Sequence, residues 1–152
     1  MNHETRILLV EDDHLQAQAI QSGLRNLLQR EYSHLVFETL ATESDFYDKF
    51  DENAEKGFDL VIIDVMLRWA NPSPQMKEPP PDVVEGGFFR AGIRCMHKLQ
   101  SDPRTSSIPN IVCTVLDDSR LPAGIDIVPK GGDLAPLADR IRQLLPTTLF
   151  RP

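Results

Sequence analysis

Unbroken apolar runs alternate along the chain with stretches in which apolar residues recur every three or four positions. The runs, Arg6 to Val10, Leu35 to Leu40, Phe58 to Leu67, Ile111 to Val115 and Ile125 to Val128, predict five strands. The central one, FDLVIIDVML, has no polar alternation before its Asp64, as a strand buried on both faces of a parallel sheet requires. Between the strands, Leu15, Ala19, Ile20, Leu24, Leu27 and Leu28 predict a first helix to about Arg30, with Asp13 and Gln16 as a capping-box pattern. Ser44 to Ala54, carrying Phe46, Tyr47 and Phe50, predicts a second helix that Gly57 ends. A third resumes near Gly87 and runs through Phe88, Ile93, Met96 and Leu99 to the turn DPRTSSIP. The last, capped by Asp133, carries Leu134, Leu137, Ile141, Leu144 and Leu145, with Pro136 in its first turn, where a missing N–H costs little. The interval from Leu116 to Ala123 contains Pro122 and leaves room for about one turn of a shortened fourth helix. Strands alternating with helices predict an α/β fold, a right-handed, doubly wound parallel sheet with helices on both faces.

The stretch Arg68 to Glu85 breaks this rhythm. It holds Pro72, Pro74, Pro79, Pro80 and Pro81, a density that excludes regular helix and central strand. It leaves the sheet beside Asp64 and is expected to form a partly ordered flap over the neighbouring pocket or a docking surface anchored by Trp69.

Composition narrows the function classes. With 152 residues, 41% of them hydrophobic, the chain is long enough for one domain, drawn at residues 1–146 with the insertion at 68–85 and a short tail at 147–152. A formal charge of -7 argues against a nucleic-acid surface, and the 23 acidic residues point to cations or basic partners. Cys95 and Cys113 lie in apolar contexts without metal-ligand spacing and read as buried, reduced thiols. The N-terminal MNHETRILLVEDD has too short an apolar run for a signal peptide or a membrane span, which predicts a cytoplasmic protein without a membrane partner.

The chemistry collects at strand ends. In a parallel sheet, Glu11 and Asp12 after the first strand, Asp64 after the third, Thr114 on the fourth and Lys130 after the fifth all reach the same edge, where open α/β sheets hold their ligand sites. Each has a plainer reading: Asp64 as a turn cap, Glu11 as a solvated helix-start charge, Thr114 as a strand filler, Lys130 as a surface lysine. Three carboxylates crowded together repel, and a divalent cation relieves that repulsion. Oxygen-only ligands suit Mg²⁺, and three carboxylates, one Mg²⁺ and one lysine sum to zero before an anion arrives. Asp13 reads as a cap and His14 as an exposed helix residue, since no second His or Cys is placed to join it.

ILLVEDD, DLVIIDVML, IPNIVCT, the VPK ending and the DPRTSSIP turn resemble the receiver domain of bacterial two-component response regulators over nearly the whole chain. The resemblance implies a flavodoxin-like sheet of strand order 2-1-3-4-5. It also implies that Asp64 is the phospho-acceptor, attacking a phosphohistidine of a sensor histidine kinase or a histidine phosphotransfer protein. Asp12 then matches the direct Mg²⁺ ligand, Glu11 a ligand acting partly through water, and the Met66 carbonyl a further one. Thr114 matches the hydroxyl that turns toward the phosphoryl group and Lys130 the ammonium that pairs with it. Such a protein is a signalling domain that catalyses only its own phosphorylation and dephosphorylation, without an attached output domain, and acts on an unknown downstream protein.

The chain also departs from the family. Ile127 stands where an aromatic partner of the threonine is usual, Gly131-Gly132 follow Lys130 where a proline is usual, and the fourth helix, part of the usual dimer face, is short. These features favour an alternative, a pseudo-receiver that works as an interaction module with little or no phosphorylation. Met66 and Leu116 occupy positions that often orient hydrolytic water; both are apolar, which predicts a long-lived phosphoryl group. A haloacid-dehalogenase-type hydrolase would want an Asp where Met66 stands, and a flavodoxin-like flavin site would meet repulsion from Glu11-Asp12-Asp13.

Overall fold

A computed structural model describes residues 3–115 and 121–146. Five strands, β1 (Glu4–Val10), β2 (His34–Leu40), β3 (Leu60–Ile63), β4 (Asn110–Thr114) and β5 (Ile127–Pro129), form one parallel sheet in the order β2-β1-β3-β4-β5. The helices are α1 (His14–Leu28), α2 (Glu43–Asp48), α3 (Phe50–Lys56), α4 (Pro81–Gly86), α5 (Ala91–Ser101) and α6 (Ala135–Leu144), with a 3-10 turn, Phe88–Arg90, ahead of α5. The doubly wound parallel sheet and its expected strand order are therefore present.

The absence of polar alternation in the central strands β1, β3 and β4 follows from burial on both faces. On one side Ile7, Leu9, Leu60 and Ile62 pack with Leu24 and Ile141 of α1 and α6. On the other Leu8, Val10, Val61 and Ile63 pack with Phe46, Phe50 and Met96 of α2, α3 and α5. All four residues of β3 are buried.

Several expected boundaries shift for local reasons. The α1 cap is as expected, Asp13 Oδ1 accepting the Gln16 N–H at 3.0 Å. Leu15, placed by periodicity on the buried stripe, is 76% exposed, because α1 turns Ala17, Ile20, Leu24 and Leu28 to the sheet and leaves its first turn uncovered. The single helix expected from Ser44 to Ala54 is two: α2 starts one residue earlier, at Glu43 behind a Thr42 cap, and the chain bends at Lys49 so that Phe46 and Phe50 both reach the core and meet edge-on at 5.7 Å. The proline-rich stretch contains a helix after all. Proline breaks a helix interior but is pre-organised for its first turn, and Pro81 opens α4 directly after Pro80. Asp133 lies one residue ahead of the cap of α6, yet its Oδ1 still accepts the Ala135 N–H at 2.9 Å. The expectation of a shortened fourth helix between Leu116 and Ala123 concerns mainly residues 116–120, outside the described residues. Among the described residues, no helix is long and apolar enough to cross a membrane.

Candidate functional site

Strand register brings the polar strand ends together. The Glu11 N–H continues the β1–β2 ladder by donating to the Leu40 carbonyl at 3.0 Å, and the Asp64 N–H does the same to Val10 at 3.0 Å. The Lys130 N–H donates to the Thr114 carbonyl at 2.9 Å. Four residues that follow or end strands are thus fixed at one edge by main-chain bonds, before any side chain interacts.

The side chains then converge. Lys130 Nζ donates to both Glu11 carboxylate oxygens at 2.7 and 2.9 Å and to Asp64 Oδ2 at 2.7 Å. Asp64 Oδ1 accepts the Met66 N–H at 3.2 Å, so the acid caps the next turn, as its plainer reading has it. Glu11, Asp12 and Asp64 offer carboxylate oxygens within 4.8 Å of one another. Glu11 and Asp64 are nearly buried, at 3% and 6% exposure. Thr114 is buried at the same edge, and Met66 lines the cleft of about 290 Å³ that opens over the acids. His14 is exposed and its ring contacts Gln18 at 3.1 Å.

Electrostatics follow from this crowding. Burial of Glu11, reinforced by the neighbouring Asp64, pushes its pKa from the ordinary 4.5 up to about 7, against the opposing pull of Lys130. Burial alone would lower the Lys130 pKa, but its bonds to Asp64 and Glu11 outweigh burial and raise it. Lys130 therefore stays charged and Glu11 is the group that takes up a proton. Because Glu11 holds that proton more tightly folded than unfolded, it contributes stability that is complete below pH 4.5 and is lost as pH rises through about 7. In metal-free protein, the urea midpoint of wild type minus that of Glu11→Gln is expected to fall across that window. A difference flat with pH would remove the assignment.

The donor set fits a hard divalent cation: three oxygen-bearing acids, two of them buried, on one side of a cleft. Sequence reasoning missed other residues that shape it. The Arg68 N–H and guanidinium both meet Asp12. Phe88, 53% exposed, lines the cleft from the 3-10 turn and stacks on Phe89 at 4.2 Å. Gly92 presses on the main chain of Asp64, its N–H donating to the Val65 carbonyl at 2.9 Å. A small residue amid apolar ones in a helix was the available signal for Gly92. Arg68 carried none beyond its charge. Trp69 lies outside the acidic cleft, in a second groove of about 520 Å³ with Tyr47, Pro80 and Lys98.

No protein-family model matches the sequence and no curated protein matches it. Solved structures do. The chain is similar to the bacteriophytochrome response regulator AtBRR (14% identity, 93% of each chain covered, TM-score 0.62). It is similar to the phosphorylated cyanobacterial phytochrome response regulator RcpA (18% identity, 93% of this chain and 91% of that one, TM-score 0.61). It is also similar to the Mn²⁺-bound form of the response regulator Rcp1 (15% identity, 91% and 90%, TM-score 0.57). The chain has the fold of response-regulator receiver domains.

Proposed function

We propose that the chain is a phospho-accepting receiver in which Asp64 takes a phosphoryl group from a phosphohistidine of a sensor histidine kinase or histidine phosphotransfer protein. The observation that carries this reading is the Lys130 ammonium at 2.7 Å from both Asp64 and Glu11, with Asp12 completing the acid cluster. In the step, an Asp64 carboxylate oxygen attacks phosphorus and the P–N bond to the donor imidazole breaks. The electron pair leaves on that nitrogen, which is then protonated. Lys130 neutralises charge on the phosphoryl oxygens, and the Thr114 hydroxyl turns toward them. Glu11, Asp12, Asp64 and the Met66 carbonyl would hold Mg²⁺, which when bound supplies further charge neutralisation.

A groove of about 620 Å³ between α1 and the loop from β5 to α6 adjoins the acidic cleft and shares Asp13, Gln16, Val115 and Lys130 with it. Leu15 and Val115, 76% and 65% exposed, give it an apolar rim, which supports donor docking on this side. The signal then passes by protein–protein contact to a downstream target. The Met66 side chain offers no polar group to a hydrolytic water, which supports a long-lived phosphoryl group; Leu116 lies outside the described residues.

Intact mass after incubation with acetyl phosphate or phosphoramidate tests the reading. A Mg²⁺-dependent gain of one phosphoryl group by wild type, absent in Asp64→Asn, is expected. No gain with either donor would replace this reading with the pseudo-receiver, which Ile127 favours by standing half-buried where a switching aromatic is usual.

A further inference from the structure

Among the described residues, two cations touch the three acids of the cleft. Lys130 takes Glu11 and Asp64. Arg68 takes Asp12, whose Oδ2 accepts the Arg68 main-chain N–H at 3.2 Å and lies 3.6 Å from its guanidinium Nε. The backbone beneath Arg68 is pinned to the first turn of α2. Its carbonyl accepts the Glu43 N–H at 3.0 Å, and the Trp69 carbonyl accepts the Ser44 N–H at 2.8 Å. The Trp69 indole N–H donates to the Lys77 carbonyl at 2.8 Å, and its ring lies 6.2 Å from that of Tyr47. The Arg68 side chain, in contrast, is 53% exposed and free to turn on this fixed base. Asp12 and Asp64 belong to one cluster within 4.8 Å, so a guanidinium that reaches one is a short swing from the other.

Resting on the receiver reading, we propose that Arg68 is a second, exchangeable cation of the site. It holds Asp12 in the resting protein, yields that carboxylate to a divalent cation, and turns its guanidinium onto the phosphoryl group of Asp64. The charge balance favours such a group. With Glu11 deprotonated, as a bound divalent cation would hold it, the three carboxylates, Lys130 and that cation sum to zero. Phosphorylation converts the Asp64 monoanion to an acyl phosphate dianion and leaves one negative charge, which Arg68 cancels. The planar fork of a guanidinium also suits phosphoryl oxygens better than a second lysine would.

Titration calorimetry of Mg²⁺ alone, and then of beryllium fluoride with saturating Mg²⁺ as a phosphoryl mimic, tests the proposal on wild type, Arg68→Ala and Arg68→Lys. The Arg68→Ala variant keeps the main-chain bond to Asp12, and Trp69 emission checks that the arm stays folded. Its Mg²⁺ affinity is expected to rise about three- to fivefold, the effect of removing one exposed competing ion pair. Its beryllofluoride affinity is expected to fall about as much, while Arg68→Lys stays close to wild type in Mg²⁺ affinity. Mg²⁺ or beryllofluoride affinity unchanged in Arg68→Ala overturns the role of Arg68 alone. Failure of all three proteins to bind Mg²⁺ overturns it together with the receiver reading.

Discussion

On the proposed receiver reading, replacing Gly92 with alanine is expected to slow phosphorylation of Asp64 by a small phosphodonor about 100-fold; it is also expected to cost about 1–3 kcal/mol of stability. A Cβ at Gly92 would lie 2.2 Å from the Asp64 carbonyl oxygen, 2.7 Å from Val65 Cα and 2.8 Å from the Asp64 carbonyl carbon. All three are main-chain atoms, so no side chain can rotate away. Helix α5 and the Asp64 turn must separate by about 1 Å, a misplacement large enough to cost two orders of magnitude in a reaction that depends on positioning. Alanine favours a helix over glycine by only ~1 kcal/mol, so the clash decides the sign. Gly131→Ala is the control, since a Cβ there meets nothing within 4 Å. Single-turnover phosphorylation and urea unfolding read both effects. A Gly92→Ala protein that phosphorylates at the wild-type rate would show that α5 does not set the position of Asp64.

The second large effect lies away from the acids. Glu43→Ala is expected to destabilise the protein by about 3 kcal/mol, a drop of roughly 10 °C in Tm for a domain of this size. The Glu43 side chain is fully buried on α2. It accepts Arg94 Nε at 2.8 Å, Arg94 Nη2 at 2.7 Å and the Tyr47 hydroxyl at 3.0 Å. Arg94 Nη2 also donates to the Gly87 carbonyl at 2.8 Å. Gly87, at φ +69°, ends α4 and leads into the turn carrying Phe88. This pair therefore ties α2 to α5 and to the end of the insertion. Removing Glu43 strands a guanidinium whose side chain is only 14% exposed, and that loss of solvation, more than the lost attraction, sets the size of the effect. The double variant Glu43→Met/Arg94→Met leaves no stranded charge and is expected to be more stable than Glu43→Ala. The reverse order in differential scanning calorimetry would refute the account.

Glu11, Asp12, Asp64 and Lys130 were legible because each follows an apolar run within two residues, and in a parallel sheet every such run ends at the same edge. The sheet order agreed with the resemblance for the same reason: short buried strands separated by helices leave few ways to wind. What was not legible lay where residues far apart in sequence meet. Arg68 and Asp12 are 56 positions apart, Arg94 and Glu43 are 51 apart, and nothing in the local pattern of either segment marks its partner. The exposure of Leu15 and the bend at Lys49 belong to the same class, because periodicity gives the direction of an apolar stripe and not the extent to which a neighbour covers it.

By itself, then, the sequence determined the layers, the direction of the strands and the acids at their ends, since hydrophobic period and chain alternation are local quantities summed along one dimension. Only the tertiary structure decided which cation holds which acid, that α5 presses glycine against the Asp64 main chain, and that the proline-rich arm is tied to α2. Those outcomes depend on distances between segments that come together only when the helices pack, where a shift of about an ångström exchanges one partner for another.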